Sequence, residues 1–372
     1  MKLTYISLFC LLILAACKKE KQQEETPIVS TCAADVYCFQ RNGHSTVDYS
    51  GQTARLLQMD EMIAYAKTAV NGQALSAAQL QDMFTNGNGA GSTYFSNEAG
   101  VPGKALNNKC FLPSVAVVQQ LFIEMAETSA NGNVASNGVA GIATSTSDPS
   151  KKYMLDSNGF EYVQLIEKGL MGDVFYYQAF GTYMSAVSSG ELQTGVAVDA
   201  AAGKHYSEAE HAFDEAFGYF GVPVDFPSNT SGLKYYGKYC NGRNAALSSN
   251  AIMTSFLNAR KALVGGEIDQ TSIQNISKHW QRVIAGTIIH YLIEAKETDD
   301  LAVKCHVLSE AWAFMGNMLH NGPNMSWSPA ELVSARTLLG DNLYLVTNEM
   351  IDAAILFVVD NSEIELVEIA YL

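Results

Sequence analysis

Basic residues are scarce in this sequence. Of its 372 residues, 23 are Lys or Arg and 38 are Asp or Glu, which gives a formal net charge of −15. Proteins that bind nucleic acid present clusters of Lys and Arg, so we expect no nucleic-acid partner. An acidic surface favours solubility and attracts cations instead. The chain is long enough for a large hydrophobic core in one or two domains.

The sequence also lacks two common motifs of protein zinc sites. It contains no Cys-x-x-Cys pair, so we expect no structural zinc site made of cysteines. The His-Glu-x-x-His motif of one class of zinc protease is absent as well. An odd number of cysteines follows the first twenty residues, and at least one of them is therefore expected to be unpaired or bonded between molecules. Cys32 and Cys38 are close enough to pair, although the sequence does not determine the connectivity.

Strand signals are sparse, because alternating Val, Ile and Tyr runs between tight turns are almost absent. Helical periodicity dominates after Ser50 and predicts an all-α body of antiparallel helical bundles. One helix is expected to begin at Ser50, and the others are expected near 76–86, 113–130, 160–188, 203–220, 248–264, 272–297, 300–321, 328–340 and 347–360. Residues 131–150 and 222–247 have the composition of irregular loops.

The N-terminal segment has the pattern of an export signal. The charged start Met1-Lys2 precedes an apolar stretch that ends at Ala16. This stretch is shorter than the roughly 20 residues that span a bilayer, and small residues precede the expected cleavage site, as in secretory signals. The four residues ending at Cys17 resemble the lipobox of bacterial lipoproteins, in which the cysteine thiol receives a diacylglycerol. An ordinary signal with a chance cysteine is the alternative.

These features predict a signal peptide over residues 1–16, lipid attachment at Cys17 and a flexible tether over residues 17–31. The tether is rich in Lys, Glu and Gln, which cannot bury apolar area. Lys18, not Asp, follows the cysteine. By resemblance to lipoprotein sorting rules, this implies an outer-membrane lipoprotein of the cell envelope, periplasmic or surface-exposed, with the membrane as its partner through the lipid.

Two segments of the chain resemble each other without a gap. Residues 211–221 and 306–316 share His, Glu, Ala and the last Gly at matching positions, with aromatic residues at two further positions. We interpret the likeness as a duplication, with a first helical unit over 32–230 and a second unit over 231–372 packed on it. Chance similarity between amphipathic helices is the competing explanation.

The repeated segments place imidazole and carboxyl groups on one helix face. His211 and Glu215 lie one turn apart, and Glu208 lies within about 60° of both. Imidazole and carboxylate together are ligands for zinc, iron or manganese. A surface pair, or a buried pair that holds two helices together, is the other interpretation. The predicted metal ligands are His211, Glu215, Glu208, His306 and Glu310, with His205, Asp214 and His290 as secondary candidates.

Parts of this sequence resemble two protein families. The string Gly203-Lys204-His205-Tyr206-Ser207-Glu208 resembles the Gly-x-His-x-x-Glu motif of imelysin-like proteins, and residues 210–214 resemble it in another register. Residues 50–56, 210–224 and 306–314 are similar to a bacterial lipoprotein family, domain of unknown function 4856. The imelysin resemblance implies two related four-helix-type units with a His and carboxylate site between them, and an association with iron uptake.

The function expected from these features is the binding of a metal ion, divalent or iron, or of a small metal-bearing ligand by an exported, lipid-anchored helical protein. One alternative is a metal-dependent peptidase or hydrolase with Glu215 or Glu208 as general base, although the sequence indicates no nucleophile. Another alternative is a surface adhesion or glycan-binding module that uses the Tyr-rich segment 233–239.

Overall fold

The computed structural model describes residues 29–31, 33, 35–320 and 326–372. The predicted signal peptide, Cys17 and most of the tether lie outside these residues, as does Cys32. Cys38 is disulfide-bonded, whereas the other cysteines of the described part, Cys110, Cys240 and Cys305, are free thiols. Among the helices of the described residues, none combines the length and the hydropathy of a membrane-spanning segment.

The fold is all-α, as predicted, with small β-sheets at two places. The α-helices of the described part are α1 Ser50–Lys67, α2 Ala77–Thr85, α3 Leu112–Asn131, α4 Tyr162–Leu170, α5 Ser185–Ser189, α6 Glu208–Phe220, α7 Tyr235–Leu247, α8 Ile252–Val264, α9 Gln270–Glu297, α10 Leu301–Asn317, α11 Pro329–Leu339 and α12 Asn348–Asp360. The strands are β1 Val29–Thr31, β2 Phe39–Arg41, β3 His44–Ser45, β4 Gly141–Thr144 and β5 Lys152–Leu155. Strands β1 to β3 form one antiparallel sheet in sequence order, and β4 pairs with β5 in the other.

The long helix predicted over 160–188 is present, but its middle is not α-helical. A π-helical segment, Met171–Met184, joins α4 to α5. π-Helical segments are rare in proteins, and those that occur often lie at functional sites. Helix α6 begins at Glu208, later than predicted, because Ser207 caps it. The Ser207 hydroxyl accepts from the backbone N–H of Glu210, and the Glu210 carboxylate accepts from the backbone N–H of Ser207.

The prediction of an irregular loop over 222–247 is wrong for its second half, which forms α7. Gly237 and Gly242 lower the intrinsic helix propensity of this segment. Packing against α9 overrides that preference, since Tyr235, Tyr236 and Cys240 are all buried. The two buried tyrosines cannot serve as the exposed contact surface that was considered for the Tyr-rich segment.

The prediction of a loop over 131–150 is also wrong in part, because β4 lies inside it. Strand β4 has only four residues and pairs with β5 in the register Gly141 to Leu155. Its partner strand carries the fully buried Met154 and Leu155. The sequence of this segment is polar and does not indicate a strand. Strand β4 forms because it pairs with β5, a strand with buried side chains that follows it in the sequence.

The helices of the predicted repeat pack as equivalent pairs. Helix α6 packs against the π-helical segment, and α10 packs against α9. One continuous hydrophobic core extends from the N-terminal strands to the residues that follow α12. A duplication would produce such pairs, but the packing alone does not demonstrate one, and the two-unit division stays a prediction.

A buried ion network joins the N-terminal strands to α6 and α8. Arg260 is fully buried, and it donates to Asp214 at 2.7 Å and to Glu210 at 2.9 Å. Its remaining nitrogen donates to the carbonyl of Thr46 at 3.0 Å. Arg41 donates to the second oxygen of Glu210 at 2.9 Å. Two guanidiniums thus face two carboxylates, and Asp214, a secondary metal candidate, is a structural partner of Arg260.

Replacing Arg260 by Met should destabilise the protein strongly. The change leaves two carboxylates buried with one cation, and breaking a buried ion pair of this kind costs about 3 to 5 kcal/mol. The free energy of unfolding in urea measures the effect. Lys261→Met is the matched control, because Lys261 is the next residue of α8 and is exposed. Similar losses for the two variants would contradict the structural role of the network.

Candidate functional site

His211 and Glu215, the first pair of predicted metal ligands, contact different parts of the structure. The His211 ring stacks on Tyr206 with centroids 4.4 Å apart. Its Nδ1 is buried without a hydrogen-bond partner in the described part of the chain. Glu215 instead accepts from the side-chain amide of Gln52 at 2.9 Å and from the hydroxyl of Tyr183 at 3.3 Å. The carboxylate is therefore engaged with α1 and the π-helical segment rather than with His211.

The neighbouring candidates on and before α6 lie closer to the surface. Glu208 is exposed and accepts from the backbone N–H of Gln193 at 3.1 Å. His205 stacks on His44 with centroids 4.1 Å apart. Neither contact brings these groups to His211, so the predicted polar stripe of α6 does not form a common set of ligands.

The second predicted pair, His306 and Glu310, belongs to a partly buried charge network. The His306 Nδ1 atom lies 2.5 Å from Glu161, and its Nε2 lies 3.5 Å from Glu310. Lys168 lies 3.4 Å from the other carboxylate oxygen of Glu310. Burial alone would lower the pKa of His306, but the hydrogen bond and charge of Glu161, with the charge of Glu310, raise it. Both ring nitrogens face carboxylates, so the imidazole acts as an ion-pair partner.

The last secondary candidate, His290, has different neighbours again. Its Nδ1 lies 2.6 Å from the carbonyl oxygen of Leu372. Its Nε2 lies 3.9 Å from Glu294, one helical turn away on α9. This second distance is at the limit for an ion pair, and both groups are partly exposed.

The two histidine motifs do not meet in the structure. Helix α6 packs on the π-helical segment and α8, whereas α10 packs on α4 and α9. The partners described above for His211 and Glu215 differ from those of His306 and Glu310. In the ranges that the structure describes, no group of three or more His, Cys, Asp or Glu side chains could hold a metal ion. The expected common site is not formed, and metal binding stays a prediction from the sequence.

A cavity elsewhere in the fold has the features of a small-molecule site. It lies between α3, α4, α10 and α11 and encloses about 290 Å³. An outer groove of about 540 Å³ continues from it and shares Trp312, Leu332 and Arg336 with it. The apolar walls of the cavity include Val117, Val118, Leu121, Leu165, Trp312 and Leu332. We call the cavity and the groove together the α3–α11 cleft.

The rim of the α3–α11 cleft is apolar and exposed. Val117, which lines the cavity, is 60% exposed, and Val333, which lines the outer groove, is 65% exposed. The segment that supplies the α3 wall carries no charged residue between Lys109 and Glu124. Apolar side chains grouped in this way around a concave surface are typical of binding sites.

Gly169 of α4 leaves room inside the α3–α11 cleft. It lines the cavity, and a Cβ atom built on it would meet no heavy atom within 4 Å. A glycine inside a helix costs roughly 1 kcal/mol relative to alanine. The space above Gly169 is therefore kept at the expense of helix stability.

Arg336 of α11 lies between the cavity and the outer groove. Its Nε and Nη2 donate to the carbonyl of Trp312 at 3.3 and 3.0 Å, and the guanidinium lies 5.1 Å from the centre of the Trp312 ring system. Burial lowers the pKa of Arg336 to about 10, against the opposing charge of Asp173. Asp173 also lines the cavity, and its carboxylate lies 2.8 Å from the Nε2 atom of His320.

No sequence motif indicates the α3–α11 cleft. Trp312 appeared only as an aromatic match within the repeat, and neither Gly169 nor Arg336 belongs to a recognisable motif. The one available signal was the uncharged run over residues 110–123. That run predicts a buried helix, whereas part of its surface remains exposed in the structure.

Comparison with known proteins identifies one family. Residues 34–324 match the family described as "Domain of unknown function (DUF4856)". No curated protein and no solved structure matches the chain. The matched range includes both histidine motifs and the cleft walls from α3, α4 and α10, and it ends before α11. The predicted likeness to this family is confirmed, and the likeness to imelysin-like proteins stays a prediction.

The stability that His306 contributes should depend on pH. Because its pKa is raised in the folded state, this contribution is fully present below the unfolded pKa of about 6.5. It is lost as the pH rises through the folded-state pKa. His306→Gln should therefore cost more at pH 6 than at pH 9, by up to about 1.5 to 3 kcal/mol, the range for a charged hydrogen bond. Urea unfolding at the two pH values measures the difference.

His279 provides a control of opposite sign. Burial lowers the pKa of His279, so this residue opposes folding as the pH falls through its unfolded pKa. His279→Gln should consequently become more favourable at pH 6 than at pH 9, relative to the unsubstituted protein. A loss for His306→Gln that is equal at both pH values would contradict the assigned ion pair.

Proposed function

We propose that this chain, which belongs to the family described as a domain of unknown function (DUF4856), is a cell-envelope lipoprotein that binds a small, largely apolar molecule in the α3–α11 cleft. The observation that carries the proposal is the unfilled, apolar-walled space above Gly169.

The dimensions of the α3–α11 cleft suit a small organic molecule. Ligand pockets typically measure about 300 to 1,000 Å³ and combine apolar walls with a few polar groups. The outer groove falls in this range and the cavity lies at its lower limit, and Arg336 and Asp173 supply the polar groups. Burial of an apolar chain there would contribute about 0.8 kcal/mol for each methylene removed from water.

The apolar rim supports the same proposal. Val117 and Val333 remain exposed although the structure has a large core in which to bury such side chains. A ligand that extends from the cavity into the outer groove would cover both of them. Burial of apolar area on binding would then compensate for the exposure in the free protein.

Helix α4 offers a direct test of ligand binding. Gly169→Leu should fill the cavity and weaken binding of the uncharged fluorescent probe N-phenyl-1-naphthylamine by at least about ten-fold. The helix should not be destabilised, because leucine favours helix formation more than glycine does. A fluorescence titration of the purified protein measures the affinity.

Gly242→Leu is the matched control for this test. Gly242 also lies within a helix, α7, and a Cβ there also meets no heavy atom within 4 Å, but it does not line the cleft. This variant should bind the probe within about two-fold of the unsubstituted protein. Equal probe binding by the Gly169 and Gly242 variants would refute the cleft as the binding site.

The envelope location rests on the sequence around Cys17. An apolar stretch, small residues before the cysteine and a polar tether after it support lipid attachment. Cys17→Ala should remove most of the protein from the membrane fraction of cells that express it, whereas Cys10→Ala in the signal peptide should not. Fractionation followed by intact-mass measurement tests this, and a Cys17→Ala protein that still sediments with membranes would contradict the anchor.

A further inference from the structure

We propose that Arg336 selects the charged group of the ligand, so that the α3–α11 cleft takes a carboxylate with an apolar chain. This inference rests on the proposed function and names the class of molecule bound. The inference is based on the position of the half-buried guanidinium of Arg336. It lies between the apolar walls of the cavity and those of the outer groove. A carboxylate at Arg336 would place its chain along those walls.

Arg336 has donors left for an anion. Of its five N–H groups, the bonds to the Trp312 carbonyl use one on Nε and one on Nη2. No carboxylate of the described residues lies within ion-pair distance of it. The fork of a guanidinium matches the two oxygens of a carboxylate, which makes such pairs directional as well as strong.

The charge of Arg336 also lacks the carboxylate partners that Arg260 and Arg41 have. Arg260 and Arg41 contact Glu210, and Arg260 contacts Asp214 as well. Taking a cation out of water is unfavourable unless it is paired, and burial lowers the pKa of Arg336 although the charge of Asp173 opposes the shift. A bound anion would remove that penalty, so its affinity would include a contribution that a neutral ligand cannot obtain.

The guanidinium is already held in position. It lies over the ring of Trp312, and α10 approaches it closely at Gly316, where a Cβ atom would lie 3.1 Å from Nη2. A positioned donor loses little conformational entropy when it binds a ligand. These contacts indicate a prepared anion site rather than a mobile surface arginine.

Asp173 is the one group in the cavity that would favour the opposite charge. Its Oδ1 already lies within hydrogen-bond distance of His320, so half of the carboxylate is engaged inside the protein. The ring of His320 is in turn enclosed by Phe111 and Tyr177. The experiment must nevertheless include a cationic ligand, because an amine could pair with the remaining oxygen of Asp173.

Displacement of bound N-phenyl-1-naphthylamine by three ten-carbon compounds tests the inference. Decanoate, decan-1-ol and decylammonium share a chain and differ in head group. We expect decanoate to bind about ten-fold more tightly than decan-1-ol and decylammonium to bind most weakly. In Arg336→Met the decanoate and decan-1-ol affinities should agree within about two-fold, while the probe still binds.

Two further variants complete the design. Arg336→Lys keeps the charge but not the fork, and it should retain part of the preference for decanoate. Arg282→Met removes an arginine of α9 that lines neither cavity nor groove and should leave the preference unchanged. For each variant, binding of N-phenyl-1-naphthylamine serves as the control that the cleft is intact.

The possible failures are distinguishable. If the unsubstituted protein does not bind the probe, or binds it equally after Gly169→Leu, the proposed function fails. If the probe binds in the cleft but decanoate and decan-1-ol displace it equally, the carboxylate inference alone is overturned. A preference for decylammonium would also overturn it, since Asp173 would then select the head group.

Discussion

The buried pairing of Arg260 with Glu210 and Asp214 determines which face of α6 points inward. The two carboxylates lie one helical turn apart, and a fully buried guanidinium requires both of them. His211 and Glu215 each follow one of these carboxylates by a single residue, which rotates them by about 100° around the helix. The ionic face and the histidine face therefore cannot both point toward α8, and the histidine face turns toward Tyr206 and the π-helical segment.

Sequence patterns predicted the helices where local signals and burial agree. Ser76 and Ser328 cap α2 and α11 near the predicted starts, and the apolar periodicity of α9 and α10 defined both of these helices. Helix α7 was missed because its glycines oppose helix formation locally, while the packing that stabilises it comes from distant residues. Strand β4 was missed for the same reason, since pairing with β5 is not visible in its own four residues.

The candidate site was less accessible to sequence analysis than the fold. Histidine and glutamate can be recognised in a sequence as possible metal ligands, because few other side chains bind metals. His306 and Glu310 do form a close pair in the structure. The α3–α11 cleft instead combines common residues from four helices between positions 114 and 341. Gly169 points to a binding site only once the structure shows the space above it. Arg336 does so only once the structure shows that no carboxylate pairs with it.

Charge compensation distinguishes Arg260 and His306, which stabilise the fold, from Arg336 of the candidate site. Arg260 and His306 are both partly or fully buried, and each has carboxylates within hydrogen-bond distance, so their interactions are satisfied inside the fold. Arg336 donates hydrogen bonds to a carbonyl and lies against an aromatic ring, and no carboxylate of the described residues is within ion-pair distance of it. A bound anion would supply the carboxylate partner that Arg336 lacks in the free protein. The adjoining apolar space then specifies that this partner carries a hydrocarbon portion together with its negative charge.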